Sequence, residues 1–203
     1  FENENGLTVS AADVVKEYDG NSYGVTATAR IKNAEIENPN ITIKYWNEKT
    51  NAYDLDESPE YRNVADTPAV VKFEASLYGY KSVQGEATVT ITRRPVTIKA
   101  KESSKVYGNP DPAFDLATLE NSVGDELKDL DLTVIRSDAG DDTIKVHENV
   151  LSIQNSKEAL EKEYTNYTFT IIPADFTIFE NENGLTVSAA DVVKEYDGNS
   201  YGV

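Results

Sequence analysis

Short runs in which every second residue is apolar recur along the chain, set apart by Gly, Pro, Asn and Asp, and they predict strands joined by tight turns. In the first half these runs are LTVSA, VVKEY, VTATARI, ITIKYW, AVVKFEA and EATVTI, broken near Asp19-Gly20, Asn38-Pro39 and Tyr78-Gly79. In the second half they are VTIKA, SKVY, FDLATL, LDLTVI, TIKVHE, VLSI, YTFTII and DFTIF. One segment departs from this period. SKEALEKEY, from Ser156, is rich in helix formers and predicts a short helical turn with Ser156 as N-cap and Ala159 and Leu160 facing inward. Six to eight strands in each half predict an all-β fold of two tandem β-sandwich modules in an elongated arrangement, with that helical turn in the second.

The strongest signal is a repeat. Phe1 to Val25, FENENGLTVSAADVVKEYDGNSYGV, recurs unchanged as Phe179 to Val203, a period of 179 − 1 = 178 residues. A fainter echo lies inside it: GLTVSAADVVKEYDG from Gly6 matches PVTIKAKESSKVYGN from Pro95 at an offset of 95 − 6 = 89. Thr8/Thr97, Ala11/Ala100, Lys16/Lys105 and Tyr18/Tyr107 then coincide, and Trp46 falls on Ile135. The same reading sets VVKFEA near Val70 on YTFTII near Tyr167 across a register slip. The expected division is 1–93, 94–182, and 183–203 as the opening strands of a further repeat. The recurrence, with no initiator Met, predicts an internal piece of a longer polypeptide. Only Thr92 to Pro95 joins the first two modules, and Pro95 predicts a stiff joint, whereas Asn183-Gly184 predicts a looser one.

Charge and composition narrow the functions. With 36 acidic against 19 basic residues the net charge is −17, which argues against nucleic acid and anionic lipid as partners. No apolar run is long enough to insert in a membrane. The chain has one His, no Cys and no Gly-rich phosphate loop, so no enzyme is expected, and no catalytic or cofactor-binding residue.

KEYDGNSYG, ITIKYW and GYKSVQGEATVTI resemble the YDG and bacterial Ig-like repeats of surface adhesins. PVTIKAKESSKVYGNPDPAF with NYTFTIIPADFTI is similar to the type 2 MBG domain of such proteins, and KVYGNPDPAF is the most specific part. The likeness covers nearly the whole chain and departs at Asp66-Thr67-Pro68, where Gly-Thr-Tyr is usual. It implies Ig-like sandwiches secreted to the surface or cell wall of a bacterium, and no catalytic residue.

Several residues invite a chemical role. Asp138, Asp141 and Asp142 surround a glycine and offer the oxygen ligands calcium favours, although the spacing fits no EF-hand. Tyr53, Tyr61, Tyr78 and Tyr80 on the long loops of the first module are candidate ligand contacts. Tyr18-Asp19-Gly20 and Tyr107-Gly108-Asn109 read as structural turns, the acidic loop Asp125 to Asp131 as solvated, Trp46 as a core residue, and the lone His147 as a surface strand residue. The expected function is a stalk or spacer repeat that holds an adhesive tip away from the cell, with neighbouring repeats as partners. The alternative is that the module itself binds host glycan or protein. Residues 184–203 repeat opening strands and could swap into a neighbouring molecule.

Overall fold

The computed structural model describes residues 6–32, 38–183 and 187–201. Among these residues the fold is β-rich, with several sheets and one α-helix. The first block holds β1 (Leu7–Ser10), β2 (Val14–Glu17), β3 (Thr28–Ile31), β4 (Thr42–Asn47), β5 (Ala52–Leu55), β6 (Ala69–Ser76) and β7 (Val83–Thr92). After Arg93 come β8 (Arg94–Lys99), β9 (Ser103–Val106), β10 (Thr118–Glu120), β11 (Val134–Arg136), β12 (Val146–Ile153), α1 (Lys157–Glu163), β13 (Tyr167–Ile172) and β14 (Ala174–Phe179). Every sheet draws its strands from one side of Arg93 only.

The two blocks repeat one strand order. The first has β2-β7-β6-β4-β5 beside the pair β1-β3, and the second has β9-β14-β12-β11 beside β10-β8-β13. Both place an early strand parallel to the last one, with Val14 opposite Val89 and Ser103 opposite Phe176. This corrects the internal alignment. The strand between the last strand and β4 or β11 is β6 in one block and β12 in the other, so VVKFEA corresponds to the His147 strand and not to YTFTII. The helix and its flanks displaced the match, because period-2 runs look alike whichever edge they pair with.

The strand interiors follow from alternation. Val71, Phe73 and Ala75 of β6 and Ala87, Val89 and Ile91 of β7 all face inward, as do Val96, Ile98, Phe176 and Ile178 in the second block. Each large side chain of this kind contributes roughly 1.5–3 kcal/mol by leaving water. Gly85 stands opposite Phe73, and a Cβ there would come within 2.5 Å of the ring, so glycine lets the phenyl group lie across the neighbouring strand. At Asp19-Gly20 the turn is closed by the Asn21 amide on Asp19 Oδ1 at 2.9 Å, with Gly20 at φ 82°.

Other expectations change at the level of single residues. Ser156 caps α1 by accepting from the Ala159 amide at 3.2 Å and Leu160 is buried, but Ala159 is exposed. The end of TIKVHE, from Val146, and VLSI form one strand, β12, irregular between His147 and Leu151 where Asn149 takes φ 56°. Only the end of FDLATL is a strand, and Tyr53, expected on a long loop, lies within strand β5. Pro95 stands inside β8 rather than in a linker. The Thr67-Pro68 peptide is cis. Trp46 is half-buried and packs edge-on against Tyr53 at 5.1 Å, while its neighbour Tyr45 enters the core. Its partner Ile135 is exposed while Val134 is buried, so the alignment of these strands holds and the choice of inward face does not.

Residues 187–201 carry no strand and are exposed. They repeat residues 9–23, which include β2 and the second half of β1.

Candidate functional site

Among the described residues, polar chemistry gathers in two places. The first is the joint between the blocks, where the ends of β2 and β7 meet the start of β8 and β13. Tyr18 lies directly after β2, held by its amide on Thr92 O at 2.9 Å, and its ring meets Tyr167 edge-on at 5.4 Å. Both rings are almost fully buried. Their hydroxyls donate to one carboxylate, Glu126, at 2.7 Å from Tyr18 and 2.6 Å from Tyr167, and Arg62 adds a third donor at 3.0 Å. Around this node Arg94 donates to Glu17, Tyr18 O and Asn121, and Asn166 accepts the Val64 amide at 2.9 Å while donating to Asn63.

Burial alone would raise the Glu126 carboxyl, but the hydrogen bonds from Tyr167, Tyr18 and Arg62 overcome it and hold the group below its ordinary value. Burial first, and then the bond to Glu126, pushes both phenols up. The acidic loop Asp125 to Asp131 is therefore not merely solvated: Glu126 ties the two blocks together.

The second place is an ionic cluster at the far end of the second block, in the β11–β12 loop. Arg136 is buried with its guanidinium stacked on Phe176 at 4.5 Å. It donates Nε to Asp138 at 2.7 Å, a terminal nitrogen to both Asp111 oxygens at 3.1 and 3.2 Å, and the other to the Asp141 carbonyl. Lys105 bridges Asp111 at 2.8 Å and Asp142 at 2.5 Å. Burial would raise Asp111 and Asp138, yet their partners prevail and both sit below the usual carboxylate range. Asp141 falls to about 2, held mainly by the Thr143 hydroxyl and amide.

His147 is buried in this cluster, not on the surface as expected. It shares the inward phase of Leu151 and Ile153 on β12, with Nδ1 on Asp138 at 2.5 Å and Nε2 on the Thr143 carbonyl at 2.9 Å. The group brought together is Asp138, Asp141 and His147, whose ligand atoms lie within 4.8 Å of one another, and Asp142 turns away to Lys105. A nitrogen with two carboxylates suits a transition metal better than calcium. Both Asp138 oxygens are already committed, one to Arg136 and one to His147, so the arrangement works first as a salt-bridged clamp on the loop.

The four tyrosines do not converge. Tyr53 packs on Trp46, Tyr61 pairs its backbone with Tyr23, Tyr80 lies beside Gly6, and Tyr78 is fully exposed on the turn with Gly79. Arg136, Lys105, Arg94, Asn166 and Tyr167 were absent from the sequence-based candidates. The phase of β11 could have found Arg136, since it follows buried Val134 by two. The joint residues carry no such signal. No family model matches this chain, and none of the curated proteins does.

Proposed function

We propose that the chain is a spacer repeat: two Ig-like β-sandwich modules per 178-residue unit, arrayed in tandem on a bacterial surface to hold an adhesive tip away from the cell. The observation that carries this reading is the unchanged recurrence of Phe1–Val25 as Phe179–Val203. A sequence copied at fixed period is the mark of arrays whose units add length. It is supported by the joint, where one residue separates β7 from β8 and a charged and aromatic node fills the contact. One of the two polar clusters described thus serves to fix one block on another. The tyrosines that a binding module would use are spread over separate places and two of them pack on other aromatic or backbone groups.

Strand rise makes a module roughly 30–45 Å long, so each unit adds about 60–90 Å. Small-angle scattering on one, two and three units tests this. A maximum dimension that grows linearly with unit number supports the spacer, and one that stays constant refutes it. A glycan array probed with the same unit tests direct binding through exposed Tyr78.

A further inference from the structure

We propose that the free end of the second block is a docking surface for the opening end of another copy of the repeat, with Tyr107 set against that copy's Tyr80 as Tyr18 is set against Tyr167. This rests on the tandem reading above and adds the contact that such an array needs at its other joint.

The two strand ends are built alike. Tyr18 donates its amide to Thr92 O and Tyr107 donates its amide to Phe179 O, both at 2.9 Å, and each tyrosine is followed within two residues by a glycine at positive φ, Gly20 at 82° and Gly108 at 90°. The surroundings differ. Tyr18 is 3% exposed because Tyr167 covers it, whereas Tyr107 is 49% exposed and lies with Val106 and Phe179, 36% and 54% exposed, in an apolar patch with no partner among the described residues.

The residue that should cover it is identified by register. Val89 of β7 and Phe176 of β14 hold the same place beside their parallel partners, an offset of 176 − 89 = 87, and the same offset carries Tyr167 back to Tyr80, since 167 − 87 = 80. Tyr167 sits opposite Arg94 at the start of the second block. Tyr80 sits at the start of the first, 3.7 Å from where a Gly6 Cβ would be. The chain leaving β14 at Phe179 runs into residues identical to Phe1–Val25, which places Gly184 in the role of Gly6 one repeat on.

The chain has no cysteine, so a single one reports accessibility cleanly. The chain is extended beyond Val203 by residues 26–93, which completes a second copy of the first block, and Tyr107→Cys is labelled with a maleimide with and without the extension. Strand content by circular dichroism follows folding of the added block, and Tyr78→Cys in the first copy serves as the uncovered control. Labelling at position 107 is expected to slow about tenfold on extension, as for a side chain moved from half exposed to protected. It should recover when the added copy's counterpart of Tyr80 is changed to Ala. Equal labelling rates with the added block folded overturn the docking. Scattering on the same chains separates the two readings: length that grows while position 107 stays reactive sinks the docking alone, and protection without growth in length sinks the spacer.

Discussion

Replacing Glu126 with Ala removes the acceptor that three donors from three parts of the chain share. The Tyr18 and Tyr167 hydroxyls, 2.7 and 2.6 Å from the carboxylate, belong to residues that are 3% and 2% exposed, whereas Glu126 itself reaches solvent, so water entering the space it leaves restores part of the lost bonding. Each buried donor left short of a partner costs up to about 1–2 kcal/mol, water offsets part of that, and the exposed Arg62 arm is discounted because solvent screens it, which leaves about 1–3 kcal/mol in total. For a chain of this size that lowers the melting temperature by about 2–12 °C. Thermal unfolding followed by circular dichroism measures it, and hydrogen exchange locates it. Loosening should concentrate at Tyr18, Val64 and Arg94, whose amides bond across or beside the joint. Adding Tyr18→Phe and Tyr167→Phe to the Ala variant removes the orphaned hydroxyls and should recover part of the loss. A Glu126→Ala variant within about 0.5 kcal/mol of the parent, with exchange unchanged at those amides, refutes the view that this carboxylate seals the joint.

The same node sets a pH window. Glu126 lies below its ordinary 4.5, so its contribution is present above that value and is lost as the pH falls through the lowered one, while the two phenols lie above their ordinary 10.0 and their contribution is lost as the pH rises beyond it. Protection factors at the joint, with the intrinsic pH dependence of amide exchange divided out, should be highest between those limits, and a flat profile contradicts it. Arg136→Ala leaves Asp138 without its main partner and Asp111 with Lys105 alone; because both carboxylates keep partial access to water, the loss should be about 2–3 kcal/mol, below the full penalty for a sealed pair, and denaturant titration reads it. Deleting residues 184–203 should leave the melting curve in dilute solution unchanged, since residues 187–201 are exposed and unpaired, and a clear drop means that the tail completes the second block.

The two copies of one 25-residue segment show which parts of a fold a sequence states by itself. In both copies the turn closes the same way: Asn21 and Asn199 donate their amides to Asp19 and Asp197, Tyr23 and Tyr201 donate to the same aspartates, and Gly20 and Gly198 take φ 82° and 83°. That geometry needs only neighbours within four residues. The strands differ, because VVKE is strand β2 beside β7 and carries no strand at 192–195, where no partner lies alongside. Period-2 patterning announces a strand and leaves its edge partners and inward face to be settled by contacts far along the chain. Trp46, His147 and the strand matched to β6 were misread for this reason. The joint was beyond reach in the same way: Glu126 lies 108 residues from Tyr18, and nothing in an acidic loop marks the one carboxylate that finds two phenols.

Parallel pairing in the second block has a mechanical consequence. The chain enters at Arg94 on β8 and leaves at Phe179 through β13 and β14, and β8 runs parallel to β13 over six registered residues, from Arg94 opposite Tyr167 to Lys99 opposite Ile172. Tension on the two ends therefore pulls these neighbours in opposite directions along their length. The evenly spaced hydrogen bonds between them are loaded together in shear, where an antiparallel hairpin pulled at its open end would release them one after another. β9 and β14 add four further parallel pairs on the same line of force, and β2 and β7 repeat the arrangement in the first block.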